Sequence, residues 1–234
     1  FNTDQKFSNE ILEGATHVLS CIPPLLSGED PVLLKLKNQL LNSKKIKWVG
    51  YLSTTGVYGD SKGNWVNENT SPNPQQERSI RRLACEKQWI DTKLPIQILR
   101  LPGIYGPGRS AFESLLNGTT KMIDKPDQVF SRIHVDDIAN ALFKSLDNFK
   151  KGEIYNISDD KPASNKEVIM YGIKLLGVDE PKTLEINEIE SEMLKNFYKD
   201  SKKVNNKKMK EFFNHKLKYP TYVEGLNYIF NNTF

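Results

Sequence analysis

Short apolar runs alternate with longer segments of helical period in the first half of the chain. The strand-like runs are Thr16 to Ser20, which we expect to be buried, Trp48 to Ser53, and Ile96 to Leu101. Between them, segments of helical period extend from about Pro31 to Leu41 and from about Gln75 to Asp91. This alternation predicts βαβ units and an α/β fold with a doubly wound parallel sheet.

The strand ends indicate where function is to be sought. In a doubly wound sheet the ligand site lies at the carboxyl ends of the strands. Those ends fall just after Ser20, Ser53 and Leu101.

The alternation loosens beyond Leu101. Strands are predicted near 129–135 and 153–157. The pattern leaves open whether these two strands return to the main sheet. Asp136 or Asp137 is expected to cap a helix, because both precede an apolar-periodic run. The other helices are predicted near Ala111 to Leu116, Asn165 to Leu176, Asn205 to Phe213 and Thr221 to Phe230.

Composition indicates an ordinary globular protein, with 38% hydrophobic and 26% charged residues. The longest apolar runs, such as Thr16 to Pro24, are far short of the roughly 20 residues of a membrane span. The start FNTDQKF has no features of a secretory signal. Cys21 and Cys85 lie too far apart for a zinc motif and form no disulfide framework. We therefore expect a cytoplasmic protein with neither a membrane span nor a metal.

The net charge is +4, and much of the excess lies between Lys199 and Lys210. No aromatic residues interleave these lysines to stack on bases. The segment therefore predicts a solvated helix surface, and nucleic-acid binding is the least favoured function.

Four stretches resemble motifs of the extended short-chain dehydrogenase/reductases, which include NAD-dependent epimerases and dehydratases. They are LSTTGVYGD (52–60), LRLPGIYGPG (99–108), RIHVDDIANAL (132–142) and, more weakly, GEIYNISDD (152–160). The resemblance implies a Rossmann-like sheet with a smaller C-terminal substrate lobe. Residues 1–104 would form an N-terminally truncated NAD(P)-binding region, and 105–234 mainly the substrate lobe.

The cofactor implied by the resemblance is NAD or NADP. Cys21, Pro23, Ser53 and Pro102 lie at strand ends and are the expected cofactor-binding residues. The family's Gly-rich phosphate turn is absent from the chain, and we expect it upstream of Phe1, within about 40 to 60 residues. The residue that selects NAD or NADP would lie there too.

The family's catalytic Tyr and Lys, four residues apart on one helix, are both replaced. Aligning RLACE (82–86) with the family pattern places Arg78 at the Tyr position and Arg82 at the Lys position. A guanidinium cannot serve as an acid or base near neutral pH, so Arg78 is no substitute. Arg82 keeps a cation and is predicted to bind the cofactor. The alternative for both is a solvated helix face.

Other residues are therefore candidates for proton transfer. The resemblance places Thr54 where the family's Ser or Thr holds the reacting group. Tyr105, Thr54 through a water, or the substrate itself would move the proton.

Two arginines are candidate substrate ligands. Arg109 follows a Gly-rich turn and would meet a substrate phosphate, or would lie exposed in a tight turn. Arg132 lies two places beyond Phe130, where some family members carry a diphosphate-binding Arg, and shares its strand face. His134 is expected to be structural.

Two functions remain open. The first is an NAD(P)-dependent oxidoreductase or epimerase-like enzyme of an atypical branch, acting on a sugar-nucleotide-like or other small polar substrate. The alternative is a non-catalytic dinucleotide-binding sensor or scaffold. A homodimer is compatible with either.

Overall fold

A computed structural model describes residues 10–123 and 125–234 and shows a Rossmann-like α/β fold. The amino-terminal segment in which we expect no secretory signal lies outside the described residues. The strands are β1 (His17–Ser20), β2 (Trp48–Thr54), β3 (Trp65–Val66), β4 (Ile96–Leu101), β5 (Gly103–Tyr105), β6 (Met122–Ile123), β7 (Arg132–His134), β8 (Ile154–Asn156), β9 (Thr183–Leu184) and β10 (Lys203–Val204).

Eight helices accompany these strands in the described part of the chain. They are α1 (Pro31–Asn42), α2 (Glu77–Asp91), α3 (Ala111–Leu116), α4 (Val135–Asp147), α5 (Asn165–Leu176), α6 (Glu192–Phe197), α7 (Lys207–Phe212) and α8 (Tyr222–Thr233). Short 3-10 helices span Thr55–Tyr58 and Ile186–Glu188.

The main sheet has four parallel strands in the order β1-β2-β4-β8. Its register places Ser53 of β2 beside Arg100 of β4, and Arg100 beside Asn156 of β8. These three residues therefore form one row near the carboxyl edge. β7 pairs with β5 in a separate two-stranded sheet, whereas β8 lies in the main sheet.

Helices cover both faces of the main sheet, as the doubly wound pattern predicts. On one face, Tyr51 and Ile98 pack with Leu40 of α1 and Trp89 of α2. The residues of the opposite face include Leu99, Tyr155, Ala141 and Phe213. Burial of these two apolar layers is the main force that holds helices and sheet together.

The prediction that β1 is a buried strand is wrong. Its residues alternate between exposed and covered positions, and Leu19 is 43% exposed. Among the described strands β1 has one neighbour, β2, so it forms an edge of the sheet. Of the two central residues of β1, Val18 and Leu19, Val18 packs against the core that includes α1 and α2.

The prediction that Asp136 or Asp137 caps α4 is also wrong. The N-cap is His134, whose Nδ1 accepts a hydrogen bond from the Asp136 amide at 3.2 Å. Both aspartates lie in the first turn, where the helix dipole favours negative charge. Asp137 instead accepts the backbone N–H groups of Lys218 and Tyr219.

The lysine-rich segment between Lys199 and Lys210 contains the short strand β10 and enters α7 at Lys207, so the predicted helix surface is limited to its last four residues. Four of its lysines form ion pairs: Lys202 with Asp200 at 3.4 Å, Lys207 with Glu211 at 3.7 Å, Lys208 with Glu153 at 2.6 Å, and Lys210 with Asp160 at 3.0 Å. Nearby carboxylates therefore offset much of this positive charge. Within the described ranges, no helix has the length and apolar character needed to span a bilayer.

Candidate functional site

The carboxyl edge of the main sheet carries most of the predicted cofactor-binding residues. Cys21 and Pro23 follow β1 and are exposed. Thr54 ends β2, Pro102 follows β4, and both are half-buried. Because adjacent parallel strands end at the same edge, the fold brings these four residues to one rim.

Ser53 and Thr54 differ in what their hydroxyl groups contact. The Ser53 hydroxyl is buried and donates to Glu86 Oε1 at 2.5 Å, beneath the rim. Thr54 Oγ1 accepts a hydrogen bond from the Gly56 amide at 3.1 Å, which starts the 3-10 helix. The Thr54 proton therefore remains available for a hydrogen bond to a ligand.

Glu86 and Arg100 form a buried ion pair that sequence reasoning missed. Arg100 donates to Glu86 through Nε at 3.0 Å and Nη2 at 2.7 Å, and each side chain is 2% exposed. Burial lowers the pKa of Arg100, but hydrogen bonding and attraction to Glu86 outweigh it and leave that pKa raised. A charged residue inside the apolar strand IQILRL was the available signal, since such a residue requires a partner.

The ion pair belongs to a larger polar network. The Arg100 guanidinium carbon lies 4.8 Å from the centre of the Tyr58 ring. Tyr58 donates to Asn156 Oδ1 at 2.8 Å, and the Asn156 amide donates to Glu68 at 2.8 Å. The network therefore joins β2, α2, β4 and β8 just below the carboxyl edge.

Arg82 holds the ends of β1 and β2 together. Its Nη1 donates to the Ile22 carbonyl at 3.2 Å, the Leu52 carbonyl at 3.2 Å and the Tyr51 hydroxyl at 3.1 Å. Arg78, one turn earlier on α2, is exposed. Contact between Arg82 and a cofactor stays a prediction, but these bonds give Arg82 a structural role.

A cavity of about 430 Å³ lies beyond β5 in the C-terminal half. It brings together three residues predicted from sequence, namely Tyr105, Arg109 and Arg132, whereas Thr54 is not among its lining residues. Lys121 also lines it and was missed, since no motif contains it. None of the described residues that line the cavity is acidic.

Tyr105 and Arg132 form part of the cavity wall. Tyr105 is 7% exposed, and its hydroxyl lies 3.3 Å from the Thr221 carbonyl. Burial raises the pKa of Tyr105 above its usual range, so this group can donate a hydrogen bond but cannot act as a base near neutral pH. Arg132 Nη1 donates to the carbonyls of Phe130 at 3.0 Å and Ala163 at 2.8 Å.

Two further cations reach the cavity. Arg109 and Lys121 are both exposed, and neither makes a side-chain hydrogen bond or ion pair with a described residue. Their positive charge is therefore available to a ligand.

His134 lies behind this wall. Its ring is fully buried, 5.2 Å from the Tyr105 ring and 4.1 Å from the Tyr219 ring. Burial lowers the pKa of His134, and its Nδ1 caps α4. No three or more His, Cys, Asp or Glu residues in the described part of the chain are grouped to hold a metal ion.

Sequence relatives include Protein YeeZ of Escherichia coli (strain K12), which is 31% identical over 183 residues. That alignment covers 74% of this chain and 63% of YeeZ, so the chain spans less than two thirds of this relative's length.

Solved structures with the same fold include a functionally unknown conserved protein from Silicibacter pomeroyi DSS. It is 42% identical, with a TM-score of 0.90, over 93% of this chain and 78% of that one. The dTDP-glucose 4,6-dehydratase of Bacillus anthracis in complex with NAD has a TM-score of 0.78 at 22% identity, over 95% and 76% of the two chains.

The model of the NAD dependent epimerase/dehydratase family matches residues 34–158, which include β2, β4 and β8 of the main sheet and the polar network that joins them. Together with the YeeZ alignment and the observed sheet, this match shows that the chain belongs to the NAD-dependent epimerase/dehydratase family.

Proposed function

We propose that the protein is an NAD(P)-dependent oxidoreductase or epimerase-like enzyme that acts on a small anionic substrate. The observation that carries this proposal is the pairing of two features. Thr54 offers a hydroxyl proton at the carboxyl edge of the sheet, and Arg109 and Lys121 offer unpaired positive charge at the cavity beyond β5.

The rim of the sheet fits the nicotinamide half of a dinucleotide. Cys21 and Pro23 are exposed there, and the buried Ser20 hydroxyl at the end of β1 has no hydrogen-bond partner among the described residues. These residues, with Thr54 and Pro102, would hold the cofactor. When bound, NAD or NADP supplies the acceptance or donation of a hydride.

The cavity supports an anionic substrate. Three cationic side chains line it without an acidic one, and Tyr222 and Leu226 add apolar surface. A solved structure of the same fold, MoeE5, is described in complex with UDP-glucuronic acid and NAD. A sugar-nucleotide-like compound has the phosphates for the cations and apolar ring faces for the remaining wall.

We assign proton transfer to groups outside α2, because Arg78 is exposed and cannot act as an acid or base near neutral pH. Thr54 would hold the reacting hydroxyl or carbonyl of the substrate. Tyr105 can donate a hydrogen bond but cannot take a proton near neutral pH, which leaves a water at Thr54 or the substrate itself as the base.

One observation favours the alternative, a non-catalytic dinucleotide-binding protein. Arg82, at the position of the family's Lys, donates to three protein oxygens through Nη1. If Arg82 of α2 stabilises the sheet and takes no part in catalysis, the protein would be a sensor or scaffold.

The test combines calorimetric titration of NAD(H) and NADP(H) with turnover assays on UDP- and dTDP-sugars. We expect dinucleotide binding and turnover, with Thr54→Ala lowering turnover by roughly 10²- to 10³-fold, in the range for losing a preorganised donor. The matched control Thr183→Ala alters an exposed residue of β9 and should leave turnover unchanged. Dinucleotide binding without turnover would favour the alternative, and turnover that Thr54→Ala leaves unchanged would contradict the role proposed for Thr54.

A further inference from the structure

Asp159 is a buried carboxyl that the proposed mechanism does not use. It follows β8, is 1% exposed, and neither carboxylate oxygen has a hydrogen-bond partner of ordinary geometry among the described residues. Its amide donates to the Arg132 carbonyl at 2.8 Å, which fixes it beside β7. A carboxyl group in such a position is most stable when it is neutral.

The charged groups around Asp159 come from several elements. Arg132 of β7 is the cation that attracts it, Asp160 on its own segment repels it, and Tyr105 of β5 faces it. Arg132 also faces Tyr198 and Tyr222, and Tyr105 also faces Asp137 and Glu224.

Arg132 does not neutralise Asp159 by direct contact. Its Nη1 and Nη2 donate to the carbonyls of Phe130, Ala163 and Ser164. Burial raises the pKa of the Asp159 carboxyl well above its usual range. Attraction to Arg132 and hydrogen bonding to the backbone of Lys161 and Arg132 only partly oppose this rise.

Arg132 also lines the cavity. Arg109 and Lys121 line the same cavity and have no partner among the described residues. An anion drawn to these three cations would approach Arg132 and compete with an ionised Asp159 for its charge.

We propose that this cavity binds an anionic group of the phosphate class at Arg109 and Lys121, and that its binding is coupled to uptake of one proton by Asp159. The inference rests on the proposed substrate cavity and adds a form of regulation to it. The ligand would bind most tightly when Asp159 is neutral, because the carboxylate and the anion repel each other.

The direction of the pH dependence follows from linkage. The bound anion raises the pKa of Asp159 further, so the complex binds more protons than the free protein. Affinity is therefore highest below the Asp159 pKa of the free protein. It falls by at most about tenfold per pH unit as the pH rises through that pKa, because one proton is involved.

Inorganic sulfate is a suitable probe because it remains a dianion across the pH range of the test. Calorimetry in two buffers of different ionisation enthalpy measures the protons taken up on binding. At a pH above the Asp159 pKa of the free protein and below that of the complex, we expect uptake approaching one proton in the wild type and none in Asp159→Asn, which should bind sulfate with little dependence on pH. Asp91→Asn is the control, since Asp91 is exposed at the end of α2 and is not among the charges that act on Asp159, and this variant should retain the uptake.

A second pair of variants locates the anion. Arg109→Ala with Lys121→Ala should weaken sulfate binding at least tenfold, whereas Lys35→Ala, an exposed lysine of α1, should not. The proposal is overturned if the double variant binds as wild type, if the wild-type affinity is independent of pH, or if Asp159→Asn still takes up the proton. None of these measurements needs a dinucleotide, so a failure here and a failure of NAD binding are distinguishable.

Discussion

Charged side chains are paired in one region of the molecule and lack partners in another. Below the carboxyl edge of the main sheet, Glu86 and Arg100 bond to each other, and Arg82 bonds to three oxygens. At the cavity, Arg109 and Lys121 lack partners among the described residues. Paired charges that hold elements together are expected to affect stability, whereas unpaired charges at a concave surface are expected to affect binding.

Changes to the Glu86–Arg100 pair are expected to have the largest effect on stability. Glu86→Ala or Arg100→Ala leaves a buried charge without its partner and should lower the free energy of unfolding by about 3 to 5 kcal/mol. Replacing both, with Glu86→Leu and Arg100→Met, should cost much less than either single change. Urea denaturation measures all three variants.

The control for that experiment is Lys207→Ala, which removes an exposed ion pair with Glu211. It should change the free energy of unfolding by less than about 0.5 kcal/mol. If Glu86→Ala were as mild as this control, the buried pair would have no special structural role.

Arg82 provides the next test. Arg82→Ala should lower the free energy of unfolding by about 1.5 to 3 kcal/mol, because it removes charged hydrogen bonds to the ends of β1 and β2. Arg78→Ala, on the exposed face of the same helix, should change it by less than about 0.5 kcal/mol. Denaturation and dinucleotide titration should be run together, since unchanged stability with weakened binding would make Arg82 a ligand rather than a structural residue.

The cavity wall can be tested at Gly225 of α8. A Cβ atom there would lie 2.2 Å from the Tyr105 hydroxyl oxygen, so Gly225→Ala must displace the Tyr105 ring. We expect a loss of about 1 to 3 kcal/mol in the free energy of unfolding, together with weaker sulfate binding. Thermal unfolding and sulfate calorimetry measure the two effects.

Gly172→Ala in α5 is the matched control. Its Cβ would lie 3.0 Å from the end of the flexible Leu115 side chain and at ordinary contact distances from Ala111 and Phe112, and alanine favours the helix. Equal losses of unfolding free energy and of sulfate affinity in Gly225→Ala and Gly172→Ala would show that Tyr105 does not shape the cavity.

The smallest expected effect is a pH dependence of stability from His134 and His215. Burial lowers the pKa of both rings, although Asp137 lies 3.8 Å from His215 and opposes the shift. Each ring binds fewer protons in the folded than in the unfolded state. Stability is therefore present above the unfolded pKa of about 6.5 and falls as the pH drops through it, by at most about 1.4 kcal/mol per pH unit for each histidine.

Thermal unfolding between pH 5 and 8 would measure this slope. His134→Asn keeps an N-cap oxygen and removes one titrating group, so its profile should be flatter. A profile identical to that of the wild type would show that His134 does not contribute.

The sequence by itself determined the doubly wound fold. The predicted strand from Ile96 to Leu101 is β4, and the helix predicted from Pro31 to Leu41 is α1, which ends one residue later at Asn42. These elements are encoded by local periodicity, which a single window of sequence contains. Motif resemblance also located Tyr105, Arg109 and Arg132, which the fold brings to one cavity.

Only the tertiary structure decided which charged residues are paired. Arg82 is 60 positions from Ile22, and Glu86 is 14 from Arg100, so no local pattern joins them. The same holds for the exposure of β1 and for Asp159 lying beside Arg132, because both depend on which strands become neighbours. Periodicity determines the face on which a side chain lies, but its partners depend on how distant elements pack.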